Sequence, residues 1–519
     1  MISPVRKIIV LGRAAVAGVM LLVGIACVFR SVETTALSTT VPTKVSTPVK
    51  VHLVDGATVV YASGAQIGGG RIAGFGVRHE VDGTSRPIAS VALDSVVGVE
   101  TFQTKVNGSK SVFATVGLTA AGVIGTTALA KALFGSCPTF YSDSANTPVL
   151  QGEGFSYAIA PLFEHRDIDR LRMTTGPDGV LRLEVRNEAL ETHYINHLEL
   201  LEVPHAVDQT AVVDERGRPV LLRNGRTLPE IRDRAGRNVA AALSKVDGTV
   251  FSSDPAFVAT RTSIDLDDYL DLSIPVPSGM DSVVVMVRLR NSLLNTVLLY
   301  EEILAASGAR SLDWMGKDLA NISTALELGK WYMDRMGMRV SVKQGSGYRQ
   351  VAKIADTGPI AYHDVAVVVP VSSDGRADVR LSFVADNWRI ESVAYSSDFQ
   401  RVEPRLVPLA HAKSSTGAPE VEATRSLSAA DDNYLQTSPG QSFQVFFDAG
   451  VSRPSQSRTF FLAAQGYYVE WMRAAWLSEP RRSEPFVPSD ERLLAALKSW
   501  TAQREVFEQR FYASKITVR

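Results

Sequence analysis

His193 and His197 stand four residues apart, with Glu191, Glu199 and His205 close by, and this is the nearest approach in the chain to a metal-ligand spacing. On a helix the pair would share one face, as metal ligands require. On a strand the two would point the same way about 13 Å apart, too far to share one ion. The surrounding pattern favours strands and there is no His-Glu-x-x-His, so satisfied or surface histidines are expected. The acidic run Asp265, Asp267, Asp268 and Asp271 offers the oxygen ligands calcium takes. It lacks the glycine of a tight calcium loop, and alternation with Leu266, Tyr269 and Leu270 reads as a half-buried, solvated turn. Asp167 and Asp169 form a carboxylate pair of the kind glycoside hydrolysis uses, but acidic residues are too common for that pair to assign an activity. No Gly-x-Ser-x-Gly elbow, zincin helix or kinase set is present. No catalytic residue and no cofactor is assigned from the sequence.

All six tryptophans, Trp314, Trp331, Trp388, Trp471, Trp476 and Trp500, fall in the last two fifths of the chain. Trp388, Trp471 and Trp476 are candidates for stacking on a sugar ring, against the default that a tryptophan anchors a core. Gly68, Gly69, Gly70, Gly74 and Gly76 fit neither a phosphate loop nor a dinucleotide fingerprint and read as β-turns and a bulge. There are only two cysteines. Cys137, beside Pro138, is expected to be a small buried thiol, because reactivity needs access and a depressed pKa. Cys27 ends Val23-Gly24-Ile25-Ala26-Cys27, which looks like a lipoprotein cleavage box except for Gly24. Lipidation of Cys27 and an ordinary apolar position in an anchor both stand open.

Arg6, Lys7 and Arg13 precede the uncharged apolar run Ala14 to Phe29, the pattern of a signal peptide or signal anchor. Residues 1–30 are therefore expected to export or tether the chain, placing it in a bacterial cell envelope with its bulk outside the cytoplasm. A second uncharged stretch within 111–134 carries Gly117, Ala121 and Gly125 at every fourth position, the spacing at which helices pack closely in lipid. It is expected to be an apolar helix, either spanning the membrane or buried in protein, and the side on which the bulk lies depends on which.

A chain of 519 residues divides into several domains, and 45% hydrophobic with 21% charged residues is ordinary for folded protein. The net charge of −1 gives no footprint for nucleic acid. The expected fold is mainly β. A Ser/Thr/Pro-rich linker at 31–47 leads to a small β-barrel or roll at 48–104. Two β-sandwich-like domains follow at 135–310 and 338–480, separated by a helix within 311–337. That helix, near 316–336, carries Leu319, Ile322, Leu326, Gly329, Met333 and Met336 at helical spacing. A last amphipathic helix at 489–513 presents Leu493, Leu497, Trp500, Phe507 and Phe511, free to dock on the sandwich or on a partner.

Five segments carry a resemblance: Gly135 to Tyr141 (GSCPTFY), Val149 to Phe155, Asp167 to Met173, Asn187 to Val203 and Arg458 to Trp471. Together they resemble uncharacterised bacterial envelope proteins that share a Ser-Cys-Pro segment after an apolar helix and a β-rich C-terminal region. That family carries no established activity, so no residue role transfers. The function expected is that of a membrane-anchored binding, assembly or scaffold component with protein partners in the envelope. A carbohydrate-binding protein and an extracytoplasmic hydrolase are the alternatives.

Overall fold

A computed structural model describes residues 33–34, 42–45, 49–101 (except 54, 56, 62 and 81–83), 112–115, 137–471 and 487–513. Within 137–471 it omits 145–146, 308–310, 312–313, 320, 373–374, 415–419 and 453–455. The protein is mainly β, as its alternating patterns require, and its strands form four sheets.

The first sheet is built from the N-terminal strands, among them Val49–Leu53, Thr58–Tyr61, Arg71–His79 and Ser85–Ala92. It has its own core around Val51, Val59, Tyr61 and Ile72. Gly69 and Gly70 take φ of 61° and 72° in the turn. At Gly76 a Cβ would stand 2.7 Å from the Tyr61 ring, so only glycine lets the strand close over that tyrosine. The glycine cluster is thus turn and bulge, with a register shift between Ala73 and Gly76. Two expectations change here. Within the presumed linker, Glu33–Thr34 and Thr43–Val45 are strands of this sheet. Val112–Thr115, where a helix was expected, is a strand paired with Gly98 to Thr101. The pairing uses the β-branched content of both segments. The rest of 111–134, with Gly117, Ala121 and Gly125, lies outside the described residues, as do residues 1–32 with Cys27. Among the described residues no helix is long and apolar enough to cross a membrane.

The second sheet runs in the order Thr147–Glu153, Thr139–Ser144, Val180–Arg186, Ser442–Asp448, Arg405–Ser414, Glu191–His205, Ser457–Glu470, His165–Leu171. It curls into a nearly closed barrel. Its two end strands meet where a Cβ on Gly152 would fall 2.6 Å from the Asp169 carboxyl. Phe140, Leu183, Leu198, Val445 and Phe460 fill the interior. Strand pairing crosses the expected division at 310–338, because Glu199 to Glu202 pair with Arg405 to Pro408. Everything from 206 to 404 is therefore an insertion between two neighbouring barrel strands.

That insertion contains the other two sheets. A seven-stranded sheet centred on Ser282–Asn291 and His363–Pro370 faces a five-stranded sheet centred on Asp267–Pro275 and Arg376–Val384. Val285, Val287, Val367, Leu270, Leu272 and Leu381 interdigitate between them, a β-sandwich. Helices cover one end. The expected helix near 316–336 is Ile322–Met336, started by Asn321, whose side chain accepts from Ser323 N and Thr324 N. Of the expected stripe Leu319 and Met336 are buried, whereas Leu326 is exposed and Ala325 and Leu328 are buried beside it. The helix Asp490–Ala513 docks on the others through Leu493, Leu497, Trp500, Phe507 and Phe511, all buried.

Candidate functional site

Barrel, sandwich and helices meet around the segment Ile354 to Asp364, and two cavities open there. The first has a volume of about 460 Å³. Its walls come from the helix Ile322–Met336 (Ala325, Leu328, Met333), from Leu298 to Ile303, and from Ile159 to Phe163 at the barrel mouth. These residues are apolar because each belongs to a helix face or turn turned towards the core.

Polar groups gather at the cavity floor: Cys137, Ser156, Asn295, Tyr300, Tyr332, Asp356 and Tyr468. Tyr332 Oη and Asn295 Nδ2 both donate to Asp356 Oδ2, and Gly358 N donates to Oδ1 at 3.2 Å. Burial pushes the Asp356 carboxyl up to about 6, against those donors, which favour its charged form. Tyr300 Oη donates to Glu470, and Tyr468 Oη to the Ser156 carbonyl at 3.0 Å. Asn295 Oδ1 is buried without a hydrogen-bond partner. The floor therefore offers acceptors, while Lys330 is exposed and held by Asp334 at 2.6 Å. Cys137 is buried, and burial, with the Glu191 and Glu153 charges, raises its thiol well above the ordinary range. It is a small buried cysteine, as the sequence led one to expect.

The second cavity, about 440 Å³, is polar and shares Tyr157 and Asp356 with the first. The strand His165–Leu171 carries His165, Asp167 and Asp169 at alternate positions, hence on one side. His165 Nδ1 donates to the Phe163 carbonyl at 3.2 Å, and its ring stacks on Tyr157 at 3.9 Å. Across the cleft, His363 Nδ1 lies 3.0 Å from Asp169 Oδ1. Burial lowers both histidines and raises Asp169 well above the usual carboxylate range, helped by the Asp167 and Glu153 charges. Behind this pair Glu153, fully buried, accepts from Ile360 N at 2.7 Å and Ala361 N at 2.8 Å. Burial pushes its carboxyl up to about 8 despite those two bonds. Asp364 is the counterexample, since Arg288, Arg170 and Arg172 together overcome burial and keep it low.

Of the sequence candidates, only the Asp167 and Asp169 pair belongs to this site. His193 and His197 do not point the same way. A bulge at Asn196 shifts the alternation, so His193 is buried against Glu191 at 2.7 Å while His197 is partly exposed. The acidic run begins in the turn Thr262 to Asp265 and continues into the strand Asp267–Pro275, with carboxylates matched to arginines. Asp265 pairs with Arg234 and Arg261, Asp267 with Arg339, and Asp271 bidentately with Arg380 at 2.7 Å. Among the described residues no group of three histidine, cysteine or acidic side chains is placed to hold a metal. Trp388 and Trp471 are buried, so neither is a stacking platform, and Trp476 lies outside the described residues. Trp388 fills the sandwich core. Trp471 donates to Thr192 Oγ1 at 2.8 Å and meets His79 edge-on, seating the N-terminal sheet on the barrel. Sequence reasoning missed Glu153, Tyr157, Asn295, Tyr332, Asp356 and His363, which come from separated segments and show no shared spacing.

No family model and no curated protein matches the sequence. Among solved structures, the C-terminal CBM6 of LamC, a laminarinase from Zobellia galactanivorans, is 10% identical. That match covers 38% of this chain and 98% of the module, with a TM-score of 0.14. A carbohydrate-binding module of lichenase 5A from Cellvibrio mixtus is 9% identical over 38% of this chain and 95% of its own, at 0.13. The secreted serine protease VesC from Vibrio cholerae is 9% identical over 71% of this chain and 77% of its own, at 0.15. Scores this low establish no shared fold, and the site's chemistry rests on the residues above.

Proposed function

We propose that this chain is an envelope-tethered binding protein whose ligand is a small amphipathic molecule seated in the cavity between barrel and helices. One observation carries the reading: an apolar-walled space of about 460 Å³ ends on a floor of hydrogen-bond acceptors, within the size range of small-molecule sites. Asn295 Oδ1 lacks a donor, and a hydroxyl or ammonium at the ligand's polar end would supply one. Tethering is supported by Arg6, Lys7, Arg13 and the apolar run after them.

The test is binding of the neutral dye N-phenyl-1-naphthylamine, read by fluorescence, with competition by dodecanol, dodecylamine and dodecanoate. Dodecanol and dodecylamine are expected to displace the dye, and dodecanoate to compete more weakly at pH 8, where Asp356 is ionised. Ala325→Trp, which fills the cavity, should weaken dye binding about tenfold or more. A folded protein that leaves the dye dark would end this reading. Tethering is checked by membrane fractionation with external protease, and intact protein recovered only from the soluble cytoplasmic fraction would refute it.

A further inference from the structure

The polar cleft beside the cavity holds an imidazole that packs against Asp169 and the Thr357 backbone. His363 is 8% exposed, lines the cleft, and has no hydrogen-bond partner at Nε2. Its other nitrogen is held 3.0 Å from Asp169 Oδ1, and Asp169 is itself fixed between Gly152 and the neighbouring strand. With Asp169 ionised, its carboxylate accepts from Nδ1–H and leaves Nε2 as the basic atom, the arrangement general-base catalysis relies on; because burial raises the Asp169 carboxyl, that form is favoured as pH rises. A buried nitrogen lone pair without a donor costs free energy unless something fills the place. Water in the cleft is the simplest donor.

We propose that His363 is the general base of a hydrolytic site in this cleft, directing water at the carbonyl carbon of an ester whose apolar chain lies in the adjoining cavity. The proposal rests on reading that cavity as a ligand site. The two spaces share Tyr157 and Asp356 in their walls and so adjoin, and the proposal places the ester across that shared wall. Nε2 takes a proton from water as the water oxygen bonds to the carbonyl carbon. The tetrahedral adduct then collapses, the bond to the alcohol oxygen breaks, and the proton on Nε2 passes to that oxygen. A carboxylic acid and an alcohol leave, and the imidazole returns to its starting form. Asp169 acts as a positioning residue. Asp167, Asp169, Arg170 and Arg172 of the barrel strand and its end, His165, Tyr157 and Asp356 of the cleft wall, and Arg288 and Asp364 of the sandwich set the field His363 feels.

The experiment follows hydrolysis of p-nitrophenyl octanoate by the full chain alongside dye binding. Expected are turnover that EDTA leaves unchanged and a kcat/KM about 100-fold lower or more in His363→Gln, with dye affinity retained. In the wild type kcat/KM should rise with pH, as Nε2 loses its proton and Asp169 ionises. Asp169→Asn should lower kcat and shift that profile. Should His363→Gln fail to bind dye through loss of folding, the wild-type profile and Asp169→Asn decide. Dye binding without hydrolysis, hydrolysis abolished by EDTA, full activity in His363→Gln, or a profile unchanged down to pH 4.5 would each overturn the general base while the cavity reading stands. A folded protein that binds no dye overturns both.

Discussion

Trp500 Nε1 donates a hydrogen bond to Asp386 Oδ2 at 2.7 Å, and both residues are buried. Asp386 sits at φ 58° in the turn that carries the chain from one sandwich sheet to the other, between Val384 and Trp388. Arg389 Nη1 pairs with the same carboxylate at 2.8 Å, and Arg504 of the last helix approaches to 3.6 Å. One carboxylate thus ties the C-terminal helix to the sheet-crossing turn.

Asp386→Ala removes the near counter-charge of the buried Arg389 guanidinium and leaves only Glu508 at 3.8 Å, and a loss of roughly 3–5 kcal/mol is expected. Trp500→Phe removes only the donor and should cost about 1–3 kcal/mol. Urea unfolding measures both. Limited proteolysis of Asp386→Ala should release the helix Asp490–Ala513 first. A change of under about 1 kcal/mol for Asp386→Ala would contradict the role given to this contact.

Gly358 takes φ 86° where barrel and sandwich touch. A Cβ there would stand 2.3 Å from Ser156 Oγ and 2.5 Å from the Glu153 carboxyl carbon. Gly358→Ala therefore combines left-handed strain with overpacking at a buried contact. Roughly 2–4 kcal/mol of destabilisation is expected, with weaker dye binding because Asp356 loses the Gly358 N–H geometry. Gly345, at φ 60° with open space around it, is the control, and Gly345→Ala should cost less. Equal effects at the two glycines would show that conformation alone matters and that the packed contact does not.

Glu153 predicts the alkaline limb of stability. Its carboxyl is held up to about 8 in the folded chain and is ordinary in the unfolded one. Between those values the native state binds more protons than the unfolded state, so stability falls as pH rises, by at most about 1.4 kcal/mol per pH unit for this group. Asp356, at about 6, adds to the fall only at lower pH. His79 acts with the opposite sign. Burial lowers it to about 4, so its contribution is lost as pH falls from 6.5 towards 4. The window from pH 6.5 to 8 lies above Asp356 and His79 and carries Glu153 together with Asp169, which burial raises in the same direction. Thermal melts of Glu153→Gln should be flatter across that window than the wild type, and parallel curves would show that Glu153 does not titrate there.

Local pattern and tertiary pairing divide the fold between them. The segments Val180 to Val185, Ser282 to Leu289 and Asp378 to Val384 alternate or run apolar, and each lies within an observed strand. Pro488 and Asp490 mark the start of the last helix, which begins at Asp490. The periodicity of the helix near 316–336 was legible, and Leu319 and Met336 are buried as expected, but the exposure of Leu326 was not, because it lies at a cavity that only the packed structure creates. The bulge at Asn196 was equally hidden. Nothing at that residue differs from an ordinary strand position until the register of Ser457–Glu470 is set against it.

The amino-acid order alone determined that this is a mainly β chain with a C-terminal helix from Asp490, because those properties depend on neighbours a few residues away. Tertiary structure decided the rest. The pairing of Glu191–His205 with Arg405–Ser414 makes a domain out of the intervening chain, and it brings Glu153, Asp169, Asp356 and His363 to one junction. Their altered protonation arises from burial, a property of the assembled layers that no spacing along the chain encodes.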